Sequence, residues 1–347
     1  MTPLPHVTIY IMGLDPLVSL TPMDGIIRSL KHLNWPMTIV GVASDTHDSA
    51  GILTEMFDHV IVLRTQNEER YHELVTRTAT VPGIKLLIPT DPAEAESMAP
   101  HRVWLAESGL LCPGPSPAQT SKGELETMQY LSDRFIGTVK WHRIHSGQGL
   151  DDIIPDLVFP LLMSTANRLE QWEIPSVEAL RVLAGRCLEK GKIPLVRNLD
   201  SESVYQVATV MDSTWKPVGW GMVREIARSR AVEPWMFLSV ESTKLLKTAE
   251  EVVAALEYQG PVTLRFVYSD RNRSYKLDTF KPILPVWCDL AAHGGVNLPG
   301  RLLESVLQMP VTRTPYCAAP GNLITFNSFD ISVPSETWLN MAGRGGY

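Results

Sequence analysis

The chain has 347 residues and a mass of 38.6 kDa, is 44% hydrophobic and 20% charged, and has a mean hydropathy of zero. That composition can bury cores for about two domains, and it excludes disorder, collagen and coiled coil as whole-chain descriptions. The net charge of −7 is concentrated in the first 120 residues, and no basic stripe exists to neutralise phosphates along a strand, which excludes nucleic acid as an expected partner.

Residues 7–13, VTIYIMG, are a continuous β-branched and aromatic run, the pattern of a strand buried on both faces. In 23–33, MDGIIRSLKHL, Ile26, Ile27, Leu30 and Leu33 share one helical face. Strands are expected at 37–43, 59–63 and 84–89, with helical stretches at 50–56 and 67–79 between them. This alternation over 90 residues predicts a doubly wound parallel sheet. The segment CPGPSP at 112–117 can continue neither a helix nor an interior strand, so the first domain boundary is placed there.

Beyond it, 119–134 and 176–189 read as helices, and 157–163, 193–196 and 204–210 as short strands. Residues 248–258 are expected to form a helix capped at Thr248, with Glu251 completing a capping box. A hairpin follows, with strands at 261–269 and 275–280. A helix at 299–308 precedes a tail, from 310, rich in Pro, Gly, Asn and Ser, with a strand-like stretch at 323–326. The resulting division is an α/β domain over 1–117, a linker helix and small lid-like α+β subdomain over 118–200, a larger α+β subdomain over 201–310, and a tail over 311–347. No internal repeat is visible.

Cys112, Cys187, Cys288 and Cys317 lie far apart, with no C-x-x-C and no His at metal-ligand spacing. They read as reduced thiols of a cytoplasmic protein. The N-terminus has no Lys or Arg before its apolar run, so no signal peptide is expected, and no apolar run is long enough to span a membrane. Gly219-Trp220-Gly221 lacks the third glycine of a phosphate loop. His142 and His145, with Asp151, Asp152 and Asp156 nearby, are a weak metal pattern in a loop-like stretch. Asp91, Glu94 and Glu96 read as a solvated helix start, although Asp91 follows a strand end where α/β sheets bind ligands.

From 244 onward the chain runs KLLKTAEEVVAALEYQGPVTLRFVYSDRNRSYKLDTFKPILPVWCDLAAHGGVNLPGRLLESVL. The Gly260-Pro261 turn, Pro282, Pro285-Val286-Trp287, Leu290-Ala291-Ala292 and Gly295-Val296-Asn297-Leu298-Pro299 resemble, in order and spacing, the C-terminal part of ATP-grasp enzymes of the carbamoyl-phosphate-synthetase and biotin-carboxylase kind. Residues 1–117, with LLIPTDPAEAESMA at 86–99 and the turn at 115–117, are similar to that family's pre-ATP-grasp domain. The resemblance spans about residues 6–308 and implies an ATP-grasp-like fold, α/β and then α+β.

The positions that carry the family's chemistry differ. The resemblance implies two carboxylates on adjacent strands holding Mg²⁺ against the phosphates of ATP. In register these positions hold Arg265 and Thr279. The Asn and Arg that should follow are Lys281 and Ile283, the α-phosphate Lys is Ser164, and the covering loop, STANRLEQWEIPS, has no glycine. Residues 262–268 contain no acid, and Asp278 is the one nearby replacement for the second carboxylate. Lys122, Arg224, Arg265 and Lys281 are the candidate phosphate- or anion-facing cations.

The expected function is therefore a degenerate ATP-grasp protein, a non-catalytic partner or scaffold subunit that needs no cofactor or metal and works with a protein partner or a second copy. One alternative is an ATP- and Mg²⁺-dependent carboxylate–amine or carboxylate–thiol ligase acting through an acyl-phosphate, with Asp278 as metal ligand. The other is a metal-free nucleotide- or anion-binding protein, with Arg265 and Lys281 supplying the positive charge.

Overall fold

The computed structural model describes residues 4–13, 21–43, 56–65, 67–115, 124–165, 171–199, 202–228, 234–256, 258–270 and 273–326. The expected helix at 50–56, Lys122, and the tail beyond 326 lie largely or wholly outside them.

The first sheet has the strand order β3-β2-β1-β4-β5 and is parallel throughout. Its strands are β1 (Val7–Met12), β2 (Met37–Ala43), β3 (His59–Val62), β4 (Ile84–Pro89) and β5 (Leu110–Leu111). The four strands expected from sequence share this one sheet, and the two-residue β5 is an addition. Every β1 residue is buried because both faces are covered. Val7, Ile9 and Ile11 pack toward α1 (Met23–Lys31), while Tyr10 and Met12 pack toward α2 (Glu69–Thr78) with Tyr71 and Leu74. Each such side chain stabilises the fold by about 1.5–3 kcal/mol relative to exposure.

The second sheet is small and antiparallel, ordered β6-β9-β7-β8. It is built from β6 (His142–Arg143), β7 (Leu161–Thr165), β8 (Gln171–Ile174) and β9 (Pro194–Asn198). A long helix, Val177–Glu189, packs on it after Ser176 caps its first turn at Ala179 N. The expected strand at 157–163 is displaced to Leu161–Thr165, because Phe159-Pro160 removes a backbone donor just before it.

The third sheet has six strands, ordered β14-β13-β10-β11-β12-β15. They are β10 (Glu202–Met211), β11 (Pro217–Arg228), β12 (Pro234–Ser239), β13 (Gly260–Ser269), β14 (Ser274–Lys281) and β15 (Leu323–Thr325). One face packs on the helix Thr243–Leu256 through Val207, Met222, Leu264 and Phe266. Part of the other face packs on helices Cys288–His293 and Leu298–Val306, and that core continues into the first sheet through α1.

The helix at 243–256 starts five residues before the expected Thr248. Ser242 is its cap, accepting from Leu245 N at 3.2 Å, whereas Thr248 hydroxyl donates back to Lys244 O within the helix. The glycine pair around Trp220 lies inside β11. Gly219, at φ +154°, has no room for a side chain, because a Cβ there would sit 1.7 Å from the Arg301 guanidinium. Arg301 is buried and donates to Val218 O at 2.6 Å and Pro315 O at 2.8 Å, pinning the helix 298–306 to β11. Among the described residues no helix is long and apolar enough to cross a membrane. All four cysteines are free thiols.

Candidate functional site

Strand periodicity decides what faces the junction of the second and third sheets. On β13, Leu264 and Phe266 point to the packed helix, so Arg265 points the other way. On β10 and β11, Val207 and Met222 are in the core, which turns Gln206 and Glu225 to Arg265's side. On β14 the register slips opposite Arg265/Phe266. Thr279 pairs with Arg265, Leu277 with Phe266, and Asp278 is the extra residue between them. Such a bulge re-aims a side chain, here a carboxylate.

The result is a buried, charge-balanced cluster. Arg265 Nε donates to Glu225 Oε1 at 2.8 Å and Nη2 to Glu225 Oε2 at 3.2 Å, while Nη1 pairs with Asp278 Oδ2. Gln206 Nε2 donates to Glu225 Oε1 at 2.8 Å, and Gln206 Oε1 accepts from Trp287 Nε1 at 2.7 Å. From the second sheet, Arg197 Nε lies 3.6 Å from Asp278 Oδ1, and Trp141 Nε1 donates to that oxygen at 3.3 Å. The side chains of Asp278, Glu225 and Arg197 are at most 2% exposed. Burial by itself lowers the Arg265 pKa, but Glu225 and Asp278 outweigh it and raise the pKa, so the guanidinium stays charged. Two guanidinium groups and two carboxylates sum to zero.

Sequence reasoning placed Arg265 where a metal-binding carboxylate is expected, and the structure places it between two carboxylates. Sequence reasoning misses Glu225 because that residue is distant in sequence and Pro217, Gly219 and Gly221 interrupt the strand pattern of β11. Arg224, its neighbour, alternates to the exposed side and donates to Ser203 Oγ at 3.1 Å, so it does not join Arg265. Lys281 sits at the exposed end of β14, in register with Thr263. Ser164 is buried on β7 and donates to Thr165 O. Lys122 lies outside the described residues.

One further expectation changes at the C-terminal edge of the first sheet. Glu94 is not solvated. It is buried, accepts from Tyr71 hydroxyl at 2.8 Å and pairs with Arg70 at 2.9 Å, because α2 packs over it; burial raises its pKa despite Arg70. Asp91 is a helix cap, accepting from Ala93 N at 2.6 Å. Among the described residues, His142 and His145 do not converge with the acids near them into a metal-ligand group.

No protein-family model matches the chain, and no characterised protein sequence matches it. Solved structures do. An ADP complex of the N5-carboxyaminoimidazole ribonucleotide synthetase PurK superposes with a TM-score of 0.66 at 11% identity, covering 91% of this chain and 80% of that one. The biotin carboxylase domain dimer of Hydrogenobacter thermophilus 2-oxoglutarate carboxylase, with MgADP, ADP and bicarbonate, gives 0.67 at 12% identity, covering 91% and 72%. An L-amino acid ligase from Bacillus licheniformis gives 0.62 at 13% identity, covering 88% and 75%. These are ATP-grasp proteins, and the chain has the ATP-grasp fold.

Proposed function

We propose that this chain, an ATP-grasp fold by its architecture, is a non-catalytic member of that fold class that acts as a partner or scaffold subunit. One observation carries the reading: the Arg265 guanidinium lies between Glu225 and Asp278, where a Mg²⁺-dependent enzyme needs carboxylates free for metal. A guanidinium has five N–H donors and no lone pair to coordinate a ligand. It cannot bridge phosphate oxygens as a metal does, and its charge is already spent on two acids. ATP carries about four negative charges, and phosphoryl transfer depends on stabilising them. The partner is proposed to be another protein or a second copy; one structural neighbour is itself described as a dimer.

Nucleotide binding tests this. A working site with a Kd of about 10 μM, at about 1 mM MgATP, stabilises the fold by roughly 2.7 kcal/mol. In a chain of this size that raises Tm by roughly 4–6 °C. The expected shift is below about 1 °C, with MgATP and with ATP plus EDTA alike.

The ligase alternative has an observation in its favour: two acids, Glu225 and Asp278, do converge beside the 260–281 hairpin. It requires Arg265 to leave them. A shift of several degrees that needs Mg²⁺, with ADP released on addition of a carboxylate and an amine, would establish it instead. A shift that persists in EDTA and disappears in Arg265→Glu would establish metal-free anion binding.

A further inference from the structure

We propose that His32, Asp289 and His293 form a binding site for a divalent late-transition metal ion, zinc above all, that clasps the first sheet's helix α1 to the helix Cys288–His293. His32 directly follows α1, and Asp289 and His293 are one turn apart on the second helix. The two helices meet closely because residue 25 is glycine. A Cβ there would lie 2.9 Å from Cys288 Sγ and from Val286 O. Asn297, the cap of the next helix, ties that helix to α1 as well, donating to Ser29 O at 2.7 Å.

One ligand atom from each of the three residues falls within 4.8 Å of the others. His32 Nδ1 is 4.0 Å from Asp289 Oδ1, and His293 Nε2 is 3.7 Å from Asp289 Oδ2. The imidazole rings meet edge-on, with centroids 5.2 Å apart. Tetrahedral zinc with bonds near 2.0–2.1 Å sets its ligand atoms about 3.4 Å apart. The imidazoles are 47% and 62% exposed, so they can close that difference by rotating their side chains.

The second observation is Asp289 itself. Its side chain is only 8% exposed. Arg28 Nε approaches Oδ2 at 3.3 Å, while Oδ1 is buried without a hydrogen-bond partner. A buried polar atom in that state is costly, and a cation bound to it removes the cost. Two imidazole nitrogens and one carboxylate suit zinc and its neighbours, whereas magnesium and calcium prefer all-oxygen sets. The exposed side of the cluster leaves a fourth position for water.

No residue of this cluster belongs to the Arg265 network, so the inference stands or falls apart from the nucleotide reading. The full chain, stripped with EDTA and dialysed, is titrated with zinc chloride by calorimetry and in thermal melts, beside the His32→Ala/His293→Ala double variant. Both histidines are exposed, so the metal-free variant should melt like the parent. The expected result is one zinc per chain and a Tm rise of several degrees that EDTA reverses, with affinity falling by more than about 100-fold in the variant. Magnesium should give no shift. Failure of the parent to bind one zinc, zinc binding unchanged in the double variant, or an equal response to magnesium would each overturn the proposal.

Discussion

Arg265 is the residue on which the large sheet's electrostatics turn. Removing one partner of a buried ion pair leaves an uncompensated charge and costs about 3–5 kcal/mol. Arg265→Met takes one guanidinium away from two buried carboxylates, Glu225 and Asp278, and leaves only Arg197 to balance them. It should lower the unfolding free energy by at least that amount, read from urea denaturation at pH 7. Combining it with Glu225→Gln restores the charge balance, leaving Arg197 facing Asp278, and should recover much of the loss. If Arg265→Met alone proved nearly neutral, the guanidinium would not be what holds this cluster together. The sequence singles out Arg265 because it stands where the resemblance expects an acid. Its partners are less legible. Asp278 reaches it only through a bulge, and Glu225 arrives from a strand about forty residues away, a pairing no local pattern encodes.

At the scale of elements, the helix over 243–256 separates a true cap from a look-alike. Ser242 accepts the Leu245 N–H, a bond worth about 1 kcal/mol at a helix start. Thr248 only returns its hydroxyl to Lys244 O, one turn back on an exposed face. Ser242→Ala should therefore cost about 1 kcal/mol. Thr248→Ala should be neutral or stabilising by up to about 0.5 kcal/mol, since alanine is the better helix former. Urea melts of the two variants side by side decide it, and a larger loss for Thr248→Ala would return the helix start to the capping box. The sequence shows a Thr-x-x-Glu pattern there and hides that Thr243–Lys247 already continue the helix. The buried parallel strands are easier to read, because burial on both faces writes an uninterrupted apolar run. The long β11 is harder: Pro217, Gly219 and Gly221 break its pattern, although Gly219 is there to admit Arg301.

In the whole molecule the hydrophobic cores define what must unfold together. One core runs from Val7, Ile9 and Ile11 of the first sheet through α1 into Ala208, Val210 and Trp287 beneath the large sheet. Opening either sheet exposes that shared core, so the two should form one cooperative unit. The second sheet keeps a separate core, built on Ile144, Leu161, Met163, Leu180 and Val196. Its ties to the large sheet include Arg197 and Trp141 on Asp278 and the pairing of Val139 N with Leu277 O. A unit with its own small core and mainly polar ties opens at lower free energy than the body it sits on. Native-state hydrogen exchange in rising urea tests this. Amides of Leu161–Thr165 and Val196–Asn198 should exchange through an opening a few kcal/mol below the global unfolding shared by Val7–Met12 and Val204–Val210. The sequence anticipates a lid-like subdomain over 118–200, and this experiment asks whether that stretch behaves as one. If the second-sheet amides instead follow the global isotherm from zero urea, the Asp278 cluster and its neighbours weld the second sheet to the third, and the two open only with the whole protein.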